Sequence, residues 1–157
     1  MSLEGLGFLR EQAVELHIPL QPGKKAAETI TVRVPSLSAF LVHKGAVFLR
    51  RSDRGRKAKD ILYIVEIMAE GDPLVATIEE GILSLCQESP ESASVPRTAR
   101  NHLALLLTQP PDAILREVAE AFAARHGTST VAATARTRGL LEDFLHAMPE
   151  DCGRGER

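Results

Sequence analysis

Two hydrophobic periods divide the chain. In "AVELHIPL" the apolar residues Val14, Leu16 and Ile18 alternate with polar Glu15 and His17, the period of a strand with one face buried. "TITVRV" repeats that period with Ile30, Val32 and Val34 on one face. The intervening "QPGKKAAE" carries a Pro-Gly step and reads as a turn. The pattern predicts an antiparallel hairpin. Two strands alone are marginal in water, so this hairpin needs a helical layer, further strands or a partner.

From Pro35 onwards the period lengthens to that of helices. Leu37, Phe40, Leu41, Val47 and Phe48 give an apolar stripe at helical spacing, and Ser36 stands where an N-cap belongs. The Ser-Asp-Arg-Gly stretch at 52–55 breaks it. A second helix runs through "AKDILYIVEIMAE" to Gly71. Asp72 then caps a third, with Pro73 at its first position. "ESPESASVP" reads as a polar connection, "RTARNHLALLLTQ" as a helix ended by Pro110 and Pro111, and Asp112 as the cap of one that stops at Gly127. A last helix covers about 129–147 with a bend near Gly139, and "PEDCGRGER" reads as a disordered tail.

The expected architecture is α+β, a short antiparallel sheet packed against a mainly helical body. One domain covers 1–150: a hairpin region at 5–35, a helical hairpin with a basic turn at 36–71, and a helical remainder at 72–148. The disordered tail is placed at 149–157.

Composition narrows the functional classes. A net charge of -2 means that attraction to phosphate must come from a local patch. With no Trp and one Tyr, stacking platforms for single-stranded nucleic acid are scarce. Cys86 and Cys152 lack ligand-like spacing, and Cys152 sits in a polar stretch, so neither a disulfide framework nor a metal site is expected. The start lacks the pattern of a signal peptide, and no apolar run approaches twenty residues, so a cytoplasmic protein without membrane association is expected.

The local patch is at 50–59, where Arg50, Arg51, Arg54, Arg56, Lys57 and Lys59 face a single acid, Asp53. Such a cluster serves either as a solvated turn between helices or as a contact for phosphate or RNA. Lys44 is more informative. It lies four residues from both Phe40 and Phe48, so it shares the apolar stripe, where a charge is costly unless paired or drawn out to solvent. Asp60, at the start of the next helix, is its expected partner. The competing reading directs Lys44, with Arg51, Lys57 and Lys59, towards a bound phosphate or nucleotide.

"VPSLSAFLVHKGAVFLRRSDRGRKAKDILYIVEIM" resembles the segment after the catalytic strands of bacterial nucleotidyltransferases of the abortive-infection, type IV toxin family. The matching positions are Pro35, Ser36, Ala39 and Lys44, then Lys57, Lys59 and Asp60, with Tyr63 following. Where many relatives carry a further acid, this chain has Ile64. The resemblance covers roughly residues 5 to 70 and implies a partial nucleotidyltransferase-like fold. It departs from the family at the metal site, because no "GS...DxD" segment is found. Glu15 stands where a third carboxylate would be and is the one catalytic candidate; its plainer role is that of an exposed strand residue. One carboxylate cannot fix Mg2+ between protein and phosphate.

The resemblance therefore implies a protein without independent transferase activity, a fragment or degenerate member with a scaffold role. It needs no cofactor alone, and would use Mg2+ and a nucleoside triphosphate if another chain supplied the metal-binding half. The alternative is a small RNA- or partner-binding module using the basic turn. A homodimer through the sheet region is the expected assembly.

Overall fold

The alternating segments pair as their period requires. In a computed structural model, which describes residues 3–19, 29–108 and 113–152, β1 (Ala13–Pro19) runs antiparallel to β2 (Thr29–Pro35). The register sets Val14 opposite Val34, Leu16 opposite Val32 and Ile18 opposite Ile30. Six apolar side chains thus share one face, because side chains alternate along a strand. On the other face Glu15 lies opposite Arg33, and His17 Nδ1 meets Thr31 Oγ1 at 2.9 Å. The turn expected at 21–28 lies outside the described residues.

A helix that the sequence pattern did not announce, α1 (Leu3–Glu11), precedes the hairpin. Gly5 and Gly7 lower its intrinsic propensity, so local sequence argues against it. Burial of Phe8 and partial burial of Leu9 offset that weakness. Ser36 N–H donates to Gln12 C=O at 2.8 Å, fixing where β2 leaves the sheet.

The helical body follows as α2 (Leu37–Val47), a 3-10 turn (Phe48–Arg50), α3 (Arg54–Met68) and α4 (Asp72–Glu88), then α5 (Pro90–Thr108), α6 (Ala113–His126) and α7 (Thr130–His146). Ser36 caps α2 as expected, its hydroxyl accepting from Ala39 N–H. The stripe expected on that helix is only part of its buried surface. Small Ser38, Ala39, Gly45 and Ala46 are also buried, so α2 is the central helix, packed against α3, α4 and α5. A β-carbon at Gly45 would stand 3.1 Å from Ala99 Cβ on α5.

The approach to α4 is closer still. A β-carbon at Gly81 would collide with Ser38 Oγ and lie 2.8 Å from Ser38 Cβ, while that hydroxyl donates to Ile78 C=O at 3.1 Å. Alanine in place of a mid-helix glycine ordinarily gains about 1 kcal/mol. Overpacking typically costs about 1–3 kcal/mol. Gly81→Ala is therefore expected to lower stability, by up to about 2 kcal/mol, in denaturant unfolding. A raised midpoint would contradict the close crossing of α2 and α4.

Several boundaries differ from the sequence expectation. The basic cluster is not mainly a turn: Asp53 Oδ1 accepts from Arg56 N–H at 2.9 Å and caps α3, so Arg54, Arg56, Lys57 and Lys59 occupy its opening turns. Gly71 (φ 104°), not Asp72, caps α4; the glycine tolerates a backbone that disfavours other residues. The expected polar connection forms the start of α5, where Ser89 Oγ accepts from Ser92 N–H at 3.1 Å and Pro90 needs no amide partner. Helix α7 runs without interruption through Gly139, capped by Ser129. Pro110, Pro111 and Asp112 lie outside the described residues.

Residues 149–152 are not a loose tail. Cys152 is bonded to Cys86 on α4, which corrects the expectation of no disulfide framework. Two cysteines 66 residues apart carry no local signal of pairing; the return of the chain from α7 brings them together. The rest of the expected tail, 153–157, lies outside the described residues. Among the described residues no helix is long and apolar enough to cross a membrane.

Candidate functional site

Asp60 organises the polar chemistry of the helical body. It sits on the inner face of α3 and is only 4% exposed. Lys44 Nζ reaches its Oδ1 at 2.8 Å from α2, and Arg51 Nε reaches its Oδ2 at 2.8 Å from the segment between the 3-10 turn and α3. Each carboxylate oxygen thus has a charged donor. A buried carboxylate with no partner would be prohibitive, so the two cations are what allow Asp60 to stand there.

Aromatic rings complete the enclosure of Lys44. Its ammonium lies 5.2 Å from the Phe40 ring centroid and 5.1 Å from that of Tyr63, and these rings meet edge to face at 5.8 Å. Phe40 precedes Lys44 by four residues and Tyr63 follows Asp60 by three, so each helix presents one charge beside one ring. Such ring contacts contribute about 0.5–2 kcal/mol each as a cation is withdrawn from water.

The expected phosphate set therefore divides. Lys44 and Arg51 are paired with Asp60. Lys59 lies on the exposed side of α3, with its ammonium 5.9 Å from the Tyr63 ring, and Lys57 is half-buried on the same helix. Neither Lys57 nor Lys59 has a carboxylate partner among the described residues. Arg54 reaches across to Glu117 on α6 at 3.2 Å, an exposed pair of small energetic weight.

Glu15 has no hydrogen bond or ion pair with this network. It is exposed on the polar face of β1, opposite Arg33. Among the described residues no three His, Cys, Asp or Glu side chains come together as a metal-binding group.

Two histidines on α2 and α5 are partly buried, and nothing in the sequence distinguishes them from surface histidines. His43, beside Lys44, has its pKa lowered mainly by burial, then by the charges of Lys44 and Arg51, against a smaller opposing pull from Asp60. His102 on α5 is also lowered mainly by burial, opposed by hydrogen bonds to the Ala46 and Gly45 carbonyls. Both imidazoles are mainly neutral at pH 7, since the ordinary value of 6.5 is already below it. His43 faces a cleft of about 700 Å³ between α1, α2 and α5, lined also by Phe8, Glu11, Arg50 and Glu91. The nearby hydroxyls of Ser94 and Thr98 donate to Glu91 and Ser94 carbonyls of their own helix, at 2.7 and 2.8 Å.

The second unusual surface is the hairpin. Val14, Leu16, Ile18 and Ile30 are between 45% and 49% exposed, all on the apolar face. The main packing of the strands on the helices is that of β2 against α1. No protein-family model, curated protein or solved structure matches the chain.

Proposed function

We propose that the chain is a nucleotidyltransferase-like protein without transferase activity of its own, a cytoplasmic scaffold that docks through its hairpin. The observation that carries this reading is the half-exposed apolar face of β1 and β2. Seven-residue strands are about 23 Å long, and an apolar ribbon of that length normally meets another surface. The sheet has two strands among the described residues, so both edges also present unpaired backbone groups.

A second copy is the partner this surface fits. Its apolar face is self-complementary under two-fold symmetry, and sheets stack face to face about 10 Å apart. Contact through these faces alone would bury on the order of 800 Å² in total, below the roughly 1,200 Å² of a standard stable interface. The expected dimer is therefore a micromolar one.

The nucleotidyltransferase-like part rests on the sequence resemblance and on the pairing of two of its motif residues, Lys44 and Asp60, across α2 and α3. The purified chain is expected to transfer no label from nucleoside triphosphates, with Mg2+ or Mn2+, to RNA or protein acceptors. Incorporation that is lost in Glu15→Gln would contradict this and would mean that the chain builds a metal site from its own residues.

A basic module for RNA or a protein partner is the second reading, favoured by Lys57 and Lys59, which have no carboxylate partner among the described residues, and by half-exposed Tyr63 beneath the Lys59 ammonium. The same mixture tests it. Salt-sensitive retention of the RNA, abolished by Lys57→Ala with Lys59→Ala, would favour this second role. No retention at low salt would remove it.

A further inference from the structure

The C-terminal turn is fastened in two ways. Covalently, Cys152 is bonded to Cys86 near the end of α4, with their Cα atoms 4.8 Å apart. Non-covalently, the Arg100 guanidinium on α5 donates to the carbonyls of Leu145 and Met148 at 3.0 and 2.8 Å and pairs with Glu150 at 2.7 Å. Met148 itself is fully buried in the core. The two cysteines differ in burial: Cys152 is 3% exposed, whereas Cys86 is only partly buried. The turn would therefore keep much of its docking if the S–S bond opened.

We propose that Cys86–Cys152 is a reversible redox clasp, opened by dithiol reductants and re-formed with small-molecule disulfides, that unties the C-terminal turn from α4 covalently and loosens it while Arg100 and Met148 hold it in place. The choice of reductant rests on the cytoplasmic placement proposed above, where a disulfide is ordinarily transient and redox-sensing. In the opening step a reductant thiolate attacks Cys86 Sγ, the sulfur of the less buried cysteine. The S–S bond breaks, and Cys152 leaves as a thiolate that takes up a proton. The second thiol of the reductant then displaces Cys86, leaving two protein thiols and an oxidised dithiol. Reclosure runs the other way, the protein's two electrons passing to oxidised glutathione, which is reduced to two thiols. Arg100 and Met148 keep Cys152 beside Cys86 in the open form, so the closing step is intramolecular and fast relative to capture by a second protein.

The test treats the aerobically purified chain with dithiothreitol, without denaturant, and follows alkylation by mass, thermal unfolding and amide hydrogen exchange. Both cysteines are expected to become alkylated. The midpoint should fall by roughly 10 °C, because a loop of this length constrains the unfolded chain strongly. Cys152→Ser should start at the lower midpoint and show no further response. Exchange should quicken in 147–152 and the last turn of α7 while α2 and α3 stay protected. Two free thiols in the untreated protein, or thiols that label only in denaturant, would overturn the proposal. So would loss of protection throughout the body on reduction, since the bond would then be a staple that folding requires. If Cys152→Ser does not fold, that last outcome is read from the wild-type exchange pattern alone. None of these results depends on whether the hairpin pairs two chains.

Discussion

Asp60→Ala is expected to lower stability by about 3–5 kcal/mol, the usual loss when a buried ion pair is broken from one side. The variant strands two cations rather than one. Lys44 and Arg51 both lose their carboxylate, and Lys44 remains walled by Phe40 and Tyr63, with little access to water. Lys44→Ala should cost less, because Arg51 still holds Asp60 at 2.8 Å. The double variant should cost no more than Asp60→Ala alone, giving a coupling of about 1 kcal/mol or more between the positions. Against a total of about 5–15 kcal/mol for a domain of this size, Asp60→Ala approaches the limit of a folded chain. Urea unfolding of the three variants reads this directly. Additive effects with a near-neutral Lys44→Ala would overturn the structural role. Nucleotide stabilising wild type but not Lys44→Ala would then reassign Lys44 to a ligand.

How much of that network was legible follows from what each residue signals locally. Lys44 on an apolar stripe demanded a partner, and Asp60 was the nearest acid of suitable placement; the structure joins them. The sequence places Arg51 with the phosphate set instead, because nothing in it distinguishes Arg51 from its five basic neighbours in the cluster. The kink through the 3-10 turn at Phe48–Arg50 is what aims its side chain back at Asp60. The hairpin was legible from a two-residue period alone, and its register follows from pairing apolar with apolar. Helix α1 was not legible, since its two glycines contradict the state that tertiary contact through Phe8 selects. The start of α5 failed for a related reason: Ser, Pro and Glu mark loops, and they also mark a capped helix N-terminus. The disulfide depends on the path of the whole helical body and has no local signature.

The docking account makes the second large prediction. Leu16→Glu with Ile18→Glu places two carboxylates on the apolar face of each hairpin. In the free chain these positions are about half exposed, so both charges stay solvated and the fold should survive. In a two-fold complex they would be forced against apolar side chains and against their own copies. Like charges in such a setting cost several kcal/mol, enough to weaken a micromolar dimer by a factor of about 100 or more. Arg33→Glu on the opposite, polar face serves as the control and should leave assembly unchanged.

The measurement that bears most directly on the scaffold reading is light scattering of the wild-type chain across the micromolar range, alongside the Leu16→Glu, Ile18→Glu variant. The account predicts a wild-type mass rising with concentration towards twice 17.1 kDa, and a variant that stays at 17.1 kDa throughout. A wild-type mass fixed at 17.1 kDa over that whole range would contradict it.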